Sequence, residues 1–369
     1  MIKKIVYVID DITIVGGREK ITLSKASELV KLGYEIHVIS YRMDNEVRLP
    51  KNITFHSLNV PIQNNSNYIS SKISLLKTKY RVTTLIQEKI IEIKPDIIVS
   101  VRDLFCNTLH TIKTDAKKIV EIHGCYDFFY DFGNVGKVRR FVKSLTTRLY
   151  WKNISKVDRV VILSSIDCGK WRFDNIKVIP NFIQSSDTQA NGHSSSFISA
   201  GRLAEEKGFD ILIDVWDCIK SKGYSLKLDI FGEGEQHQYL NELISKRSLE
   251  KNIVIKEFVP DIINIYSNYY ACIVPSRYEA FPMVALESIH SGVPVIAFDI
   301  ECGMRDIVIN NKTGITSNPY DIEEMADSII KIHNDLVLRD RLSKSAKVHS
   351  ANFTVENVMD QWVKLFDDL

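Results

Sequence analysis

The chain has 369 residues, 45% of them apolar and 25% charged, which is the make-up of an ordinary globular protein too long for one hydrophobic core; at about 100 to 200 residues per domain, two domains are expected. The net charge of +2 hides an asymmetry: residues 1–185 carry 30 Lys+Arg against 18 Asp+Glu, and residues 186–369 carry 18 against 28, so the first half is the one expected to face anions such as lipid headgroups. No stretch reaches the roughly 18 uncharged apolar residues of a membrane span, Asp10 and Asp11 end the first apolar run too soon for a signal peptide, and six scattered cysteines without a C-x-x-C pair argue against a zinc site or a disulfide framework. A cytosolic protein with buried free thiols is the resulting expectation.

The first strand is KIVYVID (4–10), followed by VGGREK (15–20), whose adjacent Gly16 and Gly17 permit close backbone approach to a ligand at a helix N-terminus; a plain tight turn is the alternative. A helix over 19–33 is closed by Gly33, and further strands are predicted at 35–41, 96–101, 117–123 and 159–163. The stretch 136–159 holds eight Lys or Arg, among them Arg139, Arg140 and Lys143, against Asp158 as its one acid. Val138, Phe141, Val142, Leu145, Leu149 and Trp151 recur there at near-helical spacing, the pattern of a basic amphipathic helix that binds anionic membranes or, in the plainer case, packs its stripe into the core.

The Ser-rich segment 184–196 reads as a linker between an N-terminal domain (1–183) and a C-terminal domain (197–352). Beyond it the alternation restarts, with strands at 197–201, 226–232, 252–258, 271–276 and 293–298, helices starting near 208 and 235, and a last amphipathic helix within 353–369. Strand and helix in alternation mean a parallel sheet covered by helices, so the fold class is α/β with two doubly wound, Rossmann-like domains in series. Ligands in such folds bind beyond the carboxyl ends of the strands, and a cleft between the domains is the expected site.

Two longer segments and two shorter features carry chemistry. In SRYEAFPMVALES (276–288), Glu279 lies in a loop after a buried strand, Pro282 suits the first turn of a helix, and the amides around Phe281, Met283 and Val284 are placed to meet an anionic or hydroxyl-rich ligand, with Glu287 two turns further on. In SAGRLAEEKGFDILI (199–213), Arg202 and Lys207 occupy a strand-to-helix loop, where both suit phosphate oxygens unless Glu205 and Glu206 simply neutralise them. His123 closes a predicted strand, a position where a histidine is usually structural, and FGEGE (231–235) has only G-x-G, a weak sign of a dinucleotide site.

The first two segments resemble the E-x7-E and G-R-x-x-x-x-K-G elements of the family 4 retaining glycosyltransferases of GT-B fold, and the G-G loop and the ending F-x-x-E-x-x-x-x-x-W are similar to that family's too. The resemblance implies that Glu279 contacts donor sugar hydroxyls, that the Phe281–Val284 amides hold the sugar and diphosphate, that Glu287 binds the ribose, and that Arg202 and Lys207 neutralise the leaving diphosphate. It further implies that Gly16 and Gly17 contact phosphate or acceptor, that His123 lies near the donor sugar, that Gly232, Glu233, Phe258 and Val259 flank the base, and that the last helix crosses back to the first domain. Partners implied are a nucleotide diphosphate sugar as substrate, with UDP favoured over GDP from ECGMRDIV (301–308), a saccharide or lipid-linked saccharide acceptor, and an anionic membrane surface at the inner face of the cytoplasmic membrane. No cofactor and no nucleic acid are expected, and with no D-x-D triplet no metal either, so cations and helix N-termini would stabilise the leaving phosphate. An inactive GT-B scaffold subunit would show a broken Arg-Lys pair or a missing Glu, and an NAD oxidoreductase would show G-x-G-x-x-G after the first strand; neither mark is present.

Overall fold

The computed structural model describes residues 3–12, 17–42, 50–60, 68–101, 105–126, 129, 136–184 and 195–369. They fall into two compact units, the first of residues 1–163, 168–180 and 358–369, the second of residues 164–167 and 181–357. Gly16 and most of the expected linker lie outside the described residues.

The first unit is built on seven parallel strands, β1 (Lys4–Asp11), β2 (Glu35–Arg42), β3 (Ile53–Ser57), β4 (Ile97–Val101), β5 (Lys117–Ile122), β6 (Arg159–Ile162) and β7 (Ile176–Val178), in the order β3-β2-β1-β4-β5-β6-β7. Helices on both faces explain the nearly continuous apolar runs: β4 is buried along its whole length. Helix α1 (Gly17–Lys31) stops where Gly33 takes a φ of 91°, letting the Gly33 amide donate to Val30 O at 3.0 Å and the Tyr34 amide to Leu29 O at 3.1 Å. Helix α2 (Tyr68–Ile93) lays Val82, Ile86 and Ile90 on Val6, Val8, Ile98 and Val120, and helix α3 (Lys137–Ile154) adds Trp151, whose ring meets that of Trp171 at 4.6 Å.

The second unit has six parallel strands, β8 (Ser196–Ala200), β9 (Lys227–Phe231), β10 (Ile253–Lys256), β11 (Cys272–Val274), β12 (Val295–Phe298) and β13 (Gly314–Ser317), in the order β10-β9-β8-β11-β12-β13. Its longer helices are α4 (Phe209–Ser221), α5 (His237–Lys246), α6 (Met283–His290), α7 (Ile322–Asn334) and α8 (Leu336–Ser350). The last helix, α9 (Val355–Asp367), ends in the first unit, where the Lys3 ammonium donates to Phe366 O at 2.7 Å and the Lys25 ammonium sits 4.1 Å from the Trp362 ring centroid.

The order of strands reverses once in each sheet, between β1 and β4 and between β8 and β11. Such a reversal opens a crevice at the carboxyl ends of the two central strands, the place where doubly wound sheets bind ligands. Three strands escaped sequence reading: β3, β7 and β13 are three to five residues long, and GITS carries so little β-branched apolar character that only its pairing with β12 makes it a strand.

Helix α3 divides the stripe expected of it between core and surface. Trp151 and Ile154 are buried as a core helix requires, yet Phe141 is 71% exposed and Val142, Leu145 and Leu149 are about half exposed. The side chains of Val138 and Arg139 lie outside the described residues, while Arg140 and Lys143 are exposed. Among the described residues no helix is long and apolar enough to cross a membrane.

Candidate functional site

The loops that follow β8 and β11 flank the reversal point of the second sheet, and they contain the two segments singled out from sequence. The first loop leaves β8 at Gly201, makes a short 3-10 turn over Glu205–Lys207 and enters α4 through Gly208 at a φ of 70°. A Cβ at Gly208 would stand 2.2 Å from Pro275 O on the second loop, so the glycine allows the two backbones to touch. Gly232 serves the same purpose one strand away: a Cβ there would lie 1.9 Å from Gly201 O, which gives the G-x-G of the β9 loop a packing reason.

That contact brings the functional side chains together. The Lys207 ammonium lies 2.6 Å from Glu279 Oε1, which also accepts from the Ser276 hydroxyl at 2.9 Å. The pair is partly shielded, 25% of the Lys207 side chain and 12% of that of Glu279 being exposed, so its charges are neither fully hydrated nor sealed off. Arg202 is arranged differently: its guanidinium pairs with the Glu206 carboxylate and 65% of the side chain is exposed. The self-neutralised surface loop is therefore realised for Arg202, whereas Lys207 takes its partner from the other loop.

Pro282 is the N-cap residue of α6, just ahead of the helix instead of in its first turn, and the half-buried Met283 and Val284 follow at the positive end of the helix. Phe281 offers only its backbone to that end, because its ring is buried against Phe353 at a centroid distance of 5.6 Å. Glu287 is half-buried on α6, near enough to the buried Tyr266 that, after burial and the Cys272 thiol, its charge adds to what pushes the Tyr266 hydroxyl well above its ordinary pKa. Gly303 supports the loop from behind: its amide donates to Ala280 O at 3.1 Å. Glu233 and Phe258 are exposed on the loops after β9 and β10, and Val259 is half-buried.

Sequence reasoning passed over the residues that join the loops. Arg277 pairs with Asp210 through both carboxylate oxygens, at 2.8 and 2.6 Å, and donates to Glu205 O at 2.6 Å. The visible signal was an Arg two residues before Glu279 with an Asp at the start of the facing helix.

In the first unit, Gly17 is the first residue of α1 and a Cβ there would meet nothing within 4 Å. His123 follows β5 with its side chain 8% exposed and Nε2 3.0 Å from Glu121 Oε1, an approach out of hydrogen-bond alignment. Glu121 also pairs with Lys25, both side chains being at most 2% exposed. Burial by itself would raise the Glu121 carboxyl, but Lys25 and then His123 outweigh it and bring the pKa down to about 2. A charged residue inside KKIVEIH was the sequence signal for this pair. Among the described residues no cluster of His, Cys, Asp or Glu has the arrangement of a metal site.

The arrangement fits known proteins over nearly its whole length. Residues 15–187 match the family described as Glycosyltransferase Family 4 and residues 182–349 the one described as Glycosyl transferases group 1. An uncharacterized glycosyltransferase of Haemophilus influenzae is 25% identical over 98% of this chain and 99% of its own length. A poly(ribitol-phosphate) alpha-N-acetylglucosaminyltransferase of Staphylococcus aureus is 24% identical over 71% of this chain, and the match spans 53% of that relative's length. Among solved structures, Anabaena HepE in complex with UDP and glucose superposes with a TM-score of 0.75 at 17% identity, covering 100% of both chains, a likeness of fold.

Proposed function

Since the chain belongs to the family 4 glycosyltransferases of GT-B fold, we propose that it moves a hexose or N-acetylhexosamine from a UDP-sugar, with retention of configuration and without a metal, onto a saccharide acceptor in cell-surface polysaccharide assembly. The observation that carries this reading is the Lys207–Glu279 pair at 2.6 Å, set at the reversal point of the second sheet beside the N-terminus of α6. A diphosphate arriving there exchanges the Glu279 carboxylate for its own oxygens on Lys207, and Glu279 is released to accept from sugar hydroxyls. Arg202, 65% exposed, swings from Glu206 to the same phosphates, and the N–H groups of Phe281, Met283 and Val284, around Pro282, complete the cradle. Glu287 takes the ribose, Glu233, Phe258 and Val259 flank the base, and Gly16, Gly17 and His123 keep the roles that the resemblance implies. UDP is supported by the complex formed by HepE, and an alpha-linked product, which retention at an alpha-linked donor yields, by the name of the Staphylococcus aureus relative.

The test is UDP release from UDP-glucose, UDP-galactose and UDP-N-acetylglucosamine, with GDP-mannose as control. Activity in excess EDTA is expected to be unchanged, and NMR of the product is expected to show the anomeric configuration of the donor. Activity restored only by a divalent metal would sink the metal-free mechanism, and an inverted product the retaining one.

The acceptor in this reading is lipid-linked, and the protein works attached to the inner face of the cytoplasmic membrane. Support comes from α3, where Phe141, Val142, Leu145 and Leu149 are exposed beside Arg140, Lys143, Arg148 and Lys152. Exposed apolar groups among cations are what an anionic interface rewards, at about 1 kcal/mol per cation near the surface. Vesicles containing anionic lipid are expected to sediment the protein at low salt and release it above roughly 0.5 M, where screening is short-ranged. Changing Arg139, Arg140 and Lys143 to Glu should greatly reduce sedimentation; if wild type and triple variant both ignore such vesicles, the membrane attachment fails and the acceptor is a soluble one.

A further inference from the structure

The two loops of the site are joined by one side chain that takes no part in the chemistry just described. Arg277 is anchored at its backbone, where its amide donates to Glu206 O at 2.8 Å, and at its guanidinium, which forks onto Asp210 at the start of α4 and reaches Glu205 O. Nη1 serves Asp210 Oδ1 and Glu205 O, and Nη2 serves Asp210 Oδ2, so three of the five guanidinium N–H donors are committed to holding the two loops together. The side chains of Arg277 and Asp210 are 22% and 24% exposed, shielded enough for the fork to hold one geometry. Glu205, Glu206 and Lys207 form one short 3-10 turn, and Arg277 grips the first two. Lys207 is thus presented to Glu279, which stands two residues beyond Arg277 on the facing loop.

We propose that Arg277, locked by Asp210, is a positioning residue for the donor site: it fixes the Lys207 turn against the Glu279 loop, so that the ammonium meets the diphosphate at a set distance. This rests on the assignment of Lys207 to the diphosphate. Placement of a charge within about half an ångström decides how much of its attraction a ligand receives. Lysine at position 277 keeps the charge and loses the fork, which separates geometry from electrostatics.

A double-mutant cycle tests it, with UDP and GDP titrated calorimetrically into wild type, Lys207→Ala, Arg277→Lys and the double variant. Lys207→Ala is expected to weaken the better nucleotide about tenfold or more, the range of a charge-assisted hydrogen bond. Arg277→Lys should weaken it about three- to tenfold in wild type and by less than about twofold once Lys207 is absent, because a positioning residue has nothing left to position. The same cycle run with Asp210→Asn should give the same non-additivity and serves if Arg277→Lys does not fold. Equal losses in both backgrounds, or no loss in wild type, overturn the proposal and leave the diphosphate site intact. A Lys207→Ala variant that binds like wild type, or a wild type that binds neither nucleotide, overturns the diphosphate assignment and the proposal with it. Failure of both Arg277→Lys and Asp210→Asn to give cooperative thermal unfolding makes the pair a stability element and also overturns it.

Discussion

Each unit contains a lysine paired with a glutamate, and the two pairs differ in how far solvent reaches them. Lys25 and Glu121 are sealed in the first unit, with side chains at most 2% exposed and the Trp362 ring beneath the ammonium. Lys207 and Glu279 are partly open, 25% and 12% exposed, on loops at a crevice. Water and ligands cannot replace either partner of the first pair, so it behaves as a structural joint between α1, β5 and α9. An incoming anion can replace Glu279 on Lys207, so the second pair is exchangeable. Two salt bridges of the same chemistry thus differ in access, one sealed in a core and one open to exchange.

The comparison breaks most visibly at Lys25. Lys25→Met leaves Glu121 charged or forces it to protonate, and about 3 to 5 kcal/mol of stability should be lost, read as a lower denaturation midpoint in urea. An unchanged midpoint would mean that the buried pair fastens nothing. Acid probes the same joint from the other side. The Glu121 carboxyl titrates at about 2 in the folded protein against an ordinary 4.5, so its contribution is complete above pH 4.5 and disappears as pH falls towards 2. The urea denaturation midpoint should hold between pH 7 and 5 and fall from pH 4.5 towards 2, by less in Glu121→Gln; an equal fall in both proteins would contradict a depressed Glu121 pKa.

At the open pair the loss should fall on function and spare the fold. Lys207→Ala is expected to lower turnover by a factor of at least about a hundred, the effect of removing one transition-state donor, with an unchanged melting temperature. The expectation is the same for Arg202→Ala, and near-normal turnover in both purified variants would end the diphosphate assignment. Smaller still, Glu287→Ala should weaken UDP binding by about 1 to 3 kcal/mol, the cost of leaving ligand hydroxyls unpaired, as measured by calorimetry. Undiminished affinity would remove Glu287 from the ribose.

The sequence by itself determined the alternation of strands and helices, the parallel sheets and the two loop motifs. Those features rest on local pattern: runs such as KIVYVID and DIIVSV are mostly apolar, without polar alternation, because both their faces are covered, and glycines mark where backbones must turn or touch. Short strands such as β13 were invisible, since pairing with β12 supplies what their own residues lack. Which charge meets which was decided only by the tertiary structure. Glu205 and Glu206 are nearest to Lys207 in the chain, yet its ammonium reaches Glu279, 72 positions away, because Gly208 lets the β8 loop touch Pro275. Lys25 on α1 and Glu121 on β5 are 96 positions apart, and only the fold buries them together. Ion pairs between distant segments need both partners at one distance and one degree of burial. Both quantities are properties of the packed chain, and no local period encodes them.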